Sequence, residues 1–167
     1  MIIVVVIVAV IRMNAPGATS GSLTPETVTH QKSPVARVPV TTTTKTAFLS
    51  AANRLDVANV AVTQELASSS GQSVTQIAQE TAPYVTALNT FDFSLRFIAW
   101  PEAMQVPSQG LTLRTQALAT FLPSISSANT ATLPSWEAQF HVLASRAEAA
   151  ANLVRRDIGL RSTNSYP

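Results

Sequence analysis

Residues 73–101 read SVTQIAQETAPYVTALNTFDFSLRFIAWP. Ile77, Thr81, Val85, Leu88, Phe91, Leu95 and Ile98 recur every three or four residues, the spacing that lines one face of an α-helix. Ser73 precedes the run and can cap it, because its hydroxyl accepts a backbone N–H that the first turn leaves without a partner. Pro83 lies inside the stripe. Proline lacks the backbone donor and crowds the turn before it, so the helix is expected to kink or restart there. Trp100-Pro101 ends the helix, since the residue before a proline is held away from helical angles.

The same stretch carries a second apolar face. Phe93, Phe97 and Trp100 follow at i, i+4 and i+7, beside the stripe of Phe91, Leu95 and Ile98. A bundle helix buries one stripe fully. A helix apolar on two faces is either the centre of its own core or presents a patch to a partner. Phe93, Phe97 and Trp100 are therefore the candidate partner or ligand face, with core packing as the competing role. Trp100 and Phe97 beside Arg96 also suit a bilayer interface.

Outward from this helix the same period returns. On its N-terminal side, from Thr46, Phe48, Ala52, Leu55, Val62 and Leu66 share one face, with Arg54, Asp56 and Glu65 off it. The run SSSGQS over 68–73 separates the two helices. On the C-terminal side, residues 101–110 read as a loop with two prolines and Gly110. A third helix follows with Leu111, Leu118, Phe121, Leu122 and Ile125 on one side and Pro123 near its end. A fourth is capped by Thr132 or Ser135 and carries Trp136, Phe140, Leu143, Ala147, Ala150 and Val154. Arg155 and Arg156 in its last turn favour the helix dipole, and Gly159 suits the left-handed position past the end, with Leu160 folding back. Four amphipathic helices joined by short connections predict an all-α, up-down four-helix bundle over 46–160, with a disordered tail at 161–167.

The N-terminus has another character. Met1–Ile11, MIIVVVIVAVI, would span about 16 Å as a helix at ~1.5 Å per residue, against a hydrocarbon core of ~30 Å. That is short for a lone crossing and fits the apolar region of a secretory signal or part of an anchor, with Ala18-Thr19-Ser20 as small residues after it. A buried strand is the competing reading of so β-branched a run, but no other segment supplies partner strands. Residues 1–16 are thus expected to be a signal or anchor segment. Residues 17–45, rich in Thr, Pro and Ser, are expected to be an extended linker.

Composition excludes several classes. The chain of 167 residues has no Cys, which removes disulfides, Fe–S clusters, thiol nucleophiles and a lipid-bearing cysteine. The folded part is mildly acidic, whereas a nucleic-acid binder would show a dense basic face, so no nucleic acid is expected. With five glycines there is no Gly-rich phosphate loop and no Gly-x-Ser-x-Gly elbow. His30 lies in the linker. Glu137 and His141 stand at i, i+4 and could act as orienter and base, but a surface pair is the simpler reading. Carboxylates are too scattered for a bundle metal site. No catalytic residue, metal or cofactor is expected, and the chain is not expected to be an enzyme.

The apolar N-terminus, the Thr/Pro-rich spacer, Trp100-Pro101 and the ending Val154-Arg155-Arg156-Asp157-Ile158-Gly159-Leu160 together resemble the small exported proteins and lipoproteins of unknown function common in actinobacteria. The likeness covers Ala82 to Leu160, and the lipoprotein cysteine is absent. It implies an extracytoplasmic place, membrane-anchored or secreted, and no activity. The resulting expectation is a protein-interaction or structural module of the cell envelope. Its partner would be an envelope or membrane protein, or the membrane surface; the alternative is a carrier of a small apolar ligand within the bundle.

Overall fold

The computed structural model describes residues 40–68 and 73–161, apart from the side chains of residues 63 and 65–68. The expected signal or anchor segment, the linker as far as residue 39, His30, the Leu66 side chain and the tail at 162–167 lie outside the described residues. Among the described residues the fold is all-α, with helices α1 (Thr42–Ser68), α2 (Val74–Arg96), α3 (Glu102–Phe121) and α4 (Leu133–Asp157). A 3-10 helix, Leu122–Ser127, lies between α3 and α4. The helices run up and down, with α2 between α1 and α3, and α4 against α3. None of the described helices is long and apolar enough to cross a membrane.

The threonine run explains where α1 starts. Thr41 Oγ1 accepts from the Thr44 backbone N–H at 3.1 Å, and Thr44 Oγ1 donates to the Ala99 carbonyl at 3.2 Å. The first hydroxyl caps α1 and the second ties it to the end of α2, so the helix begins at Thr42, ahead of the expected Thr46. α2 opens on a capping box. Gln76 N donates to Ser73 Oγ, and Ser73 N donates to Gln76 Oε1. It then runs through Pro83 to Arg96 without restarting.

The expected loop at 101–110 is helical instead. α3 starts at Glu102 and contains both Pro107 and Gly110. The reason is burial: Met104, Ser108, Leu111, Thr115 and Leu118 make an unbroken inward stripe. The core contacts along it outweigh the lost Pro107 donor and the poor helix propensity of glycine. Pro123 turns the end of the expected third helix into the 3-10 segment, with Leu122 and Ile125 still buried. Thr132, not Ser135, is the residue before α4, and Pro134 stands in its first turn. α4 closes as the sequence implies. Gly159 has φ 75°, Leu160 N donates to Arg155 O at 2.8 Å, and Gly159 N donates to Arg156 O at 3.0 Å.

The core has a main cluster that includes Phe48, Leu55, Leu88, Phe91, Leu111, Leu118 and Val154, and a smaller one of Ile77, Ile125 and Leu133 at the far end. One tryptophan closes each end. Trp100 meets the Phe48 ring at 6.1 Å beside the start of α1. Trp136 stacks between Phe121 and Phe140, at 5.3 and 5.6 Å. Polar groups also enter the interior. Tyr84, in place of the expected Val85, is buried on α2, and Asn59 on α1 and Arg155 on α4 are buried as well. The Asp56 carboxylate acts on two of these groups. Burial, and Asp56 after it, push the Tyr84 phenol up; burial pulls the Arg155 guanidinium down while Asp56 supports its charge.

Candidate functional site

The segment FDFSLRF, 91–97, divides its aromatics between inside and outside. Residues two apart on a helix point to nearly opposite sides, so Phe91 is buried while Phe93 is 61% exposed. Phe97 follows Phe93 by four residues and is 73% exposed. The two rings lie 4.7 Å apart between centroids, tilted by 59°. Each ring covers part of the other, and the pair stands on solvent.

Trp100 is not on this face. α2 ends at Arg96, Phe97 is its C-cap, and the chain turns as Ile98 N donates to Leu95 O at 3.4 Å. Helical spacing therefore does not extend to residue 100. The indole folds back instead, its Nε1 donating to the Leu95 carbonyl at 2.9 Å, half-buried against Phe48. Of the three expected face residues the structure brings Phe93 and Phe97 together and turns Trp100 onto the core.

An open groove of about 500 Å³ runs between α2 and α3; neither Phe93 nor Phe97 lines it. Leu95 and Ser108 lie along it, Arg96 and Trp100 form the α2 side, and Gln105, Gln109 and Gln116 the α3 side. Leu113 lies along its α3 side at 67% exposure, and Val106, seven residues earlier on α3, is 77% exposed. A sequence signal for these two exists: both fall outside the Met104, Ser108, Leu111, Thr115 stripe. For Val106 it was hidden because 101–110 reads as a loop.

Asp92, next to Phe93 in sequence, is buried between α2 and α3. Its Oδ1 accepts from Thr115 Oγ1, and its Oδ2 has no hydrogen-bond partner. Burial pushes the carboxyl up to about 6, against the Thr115 donor and the Arg96 charge, which both lower it. Glu137 and His141 are half-buried on α4, and the His141 ring lies 5.7 Å from that of Phe140. Among the described residues, no hydrogen bond joins Glu137 to His141, and no group of three or more His, Asp or Glu side chains could hold a metal ion.

The chemistry the site offers is thus contact: two exposed aromatic rings tilted against each other, a groove with the exposed Leu113 along it, and one guanidinium at its edge. No protein-family model, curated protein or solved structure matches the chain.

Proposed function

We propose that the chain is an exported, membrane-tethered four-helix bundle that acts as a protein-interaction module of the cell envelope, and that it docks its partner on the solvent face of α2. One observation carries the reading. Phe93 and Phe97 are 61% and 73% exposed with their rings 4.7 Å apart, although the core is complete without them. Large aromatic side chains are the residues that most often anchor a protein interface, because each brings much apolar area at little entropic cost. Leu113 and Val106 on α3 are exposed apolar side chains as well, and Arg96, next to Phe97 in sequence, is a charged side chain at the groove. The tether belongs to the apolar run Met1–Ile11 and the Thr/Pro-rich segment after it. The reading is non-catalytic.

Site-specific photocrosslinking tests it. A benzophenone side chain at position 97 of the full chain, in its native envelope, is expected to give one discrete adduct. The same probe at Val142, which is also exposed but on α4, is the control. Equal or no adducts from the two positions would sink the reading.

A further inference from the structure

Basic and acidic residues are segregated along the bundle axis. The sequence has no Lys or Arg between Arg54 and Arg96, and none between Arg114 and Arg146. Up-down folding superimposes these two gaps. They cover the second half of α1, most of α2, the end of α3 and the first half of α4, which meet at one pole. The formal charges on described side chains in those far turns, Glu80 and Glu137, are both acidic.

The near pole has the opposite balance. Lys45 in the first turn of α1, Arg96 in the last turn of α2, Arg156 in the last turn of α4 and Arg161 just beyond it gather there, against Glu102 and Asp157, with Arg155 and Asp92 buried beneath. Arg96, Arg156 and Arg161 are exposed, with Arg156 in a surface ion pair to Asp157 at 3.3 Å. The ends are held together by the Thr44 bond to Ala99. Lys45 Nζ also lies 3.3 Å from where a β-carbon on Gly159 would stand. Val40 packs against the core at this same pole, so residues 1–39, with the apolar Met1–Ile11 run, join the bundle here.

Resting on the tethered reading above, we propose that the near pole docks onto an anionic lipid surface, with Lys45, Arg96, Arg156 and Arg161 over the headgroups and Trp100 at the interface. The charge of the pole complements such a surface, and the attachment point of the N-terminal segment brings the two together. The acidic far pole is repelled from the same surface, so charge sets orientation as well as affinity. Trp100 has the half-buried, amphipathic character that suits interfacial depth. Phe93 then stands on the order of 5 Å above the end of α2 at ~1.5 Å per residue, and the Phe93–Phe97 face looks sideways, along the lipid plane. A protein that meets that face must stand on the same membrane.

The chain's two tryptophans report on the two poles. In the full chain, Trp136→Phe leaves Trp100 as the single indole, and Trp100→Phe leaves Trp136. Each variant is mixed with vesicles of phosphatidylcholine, alone or with phosphatidylglycerol, that carry a nitroxide at headgroup level. Flotation reads the tether; quenching reads which pole meets lipid. Trp100 is expected to be quenched about twofold more strongly on anionic than on neutral vesicles, with Trp136 unaffected. Arg96→Gln with Arg156→Gln should weaken docking roughly thirtyfold, from about fivefold per cation removed. Arg114→Gln with Arg146→Gln removes the same charge from mid-bundle and should leave it unchanged. Flotation with equal quenching at both tryptophans, or with equal losses in the two double variants, overturns the docked pole and leaves the tether standing. Flotation on anionic vesicles alone, with Trp100 selectively quenched, supports the pole and removes the tether. Flotation with neither vesicle overturns both.

Discussion

Thr115 on α3 donates its hydroxyl to the buried carboxylate of Asp92 on α2, a polar link between the two helices that frame the groove. The hydroxyl has two further acceptors within reach, the Leu111 and Thr112 carbonyls, each at 3.1 Å. One proton cannot serve all three, and an ionised carboxylate is the strongest acceptor. When Asp92 is protonated it can donate to Thr115 Oγ1, whose own proton then turns to a carbonyl. The Asp92–Thr115 bond can thus form in either state, which suits a carboxyl whose pKa burial has pushed up to about 6.

That shift fixes the sign of a pH dependence. The folded state holds the Asp92 proton more tightly than an unfolded chain with its usual value of 3.8. The stability it contributes is therefore full below about pH 4 and is lost as pH rises through about 6. Relative to Asp92→Asn, the natural protein should gain on the order of 2 kcal/mol between pH 7 and pH 4. Urea unfolding of both proteins at the two pH values measures it. A constant difference would mean that Asp92 is solvated.

Phe93→Ala with Phe97→Ala should separate interface from core. Both rings are exposed, so unfolding free energy should change by less than about 1 kcal/mol, while Phe91→Ala, in the core, should cost about 3–5 kcal/mol. Thermal melts provide the comparison. A Phe93/Phe97 double variant that melts as early as Phe91→Ala would place the pair in the core.

Gly159 is the one described glycine with positive φ, at 75°. Alanine there should cost about 1–2 kcal/mol, the strain of a left-handed residue with a β-carbon. The new atom would meet only the mobile end of Lys45, so crowding adds little. Gly110→Ala has nothing within 4 Å and ordinary helical angles, and should stabilise by up to about 1 kcal/mol. Denaturant midpoints of opposite sign are the expected result.

Pro107→Ala tests why 102–110 is helical. Alanine restores an N–H that can reach the Ala103 carbonyl, and the expected gain is about 1–2 kcal/mol. Met104→Ala should lose about 2–5 kcal/mol, because its buried side chain is part of what holds this turn to the core. Circular dichroism melts of the two variants should therefore move in opposite directions. No loss on Met104→Ala would mean that the turn forms without its core contact.

Local rules in the sequence determined a good deal: the all-α class, the Ser73 cap, the Gly159 turn, and the buried stripes through Phe48, Leu88, Phe91 and Val154. Each follows from backbone hydrogen bonding and periodicity over a few residues, which neighbouring helices do not change. The groove wall at 102–110 was not legible, because Pro107 and Gly110 argue locally for a loop and only the core facing Met104, Ser108 and Leu111 decides otherwise. Phe93 and Phe97 were legible as a pair. Trp100 was not, since its direction depends on where the backbone stops being helical and on the Phe48 ring that another helix brings. Arg155 reads as a cation at a helix end, and nothing local in the sequence marks Asp92 or Tyr84 as buried until other helices pack against them. The gaps between Arg54 and Arg96 and between Arg114 and Arg146 are written in the chain, yet only antiparallel folding lays them side by side, because charge adds up in space and not along the sequence.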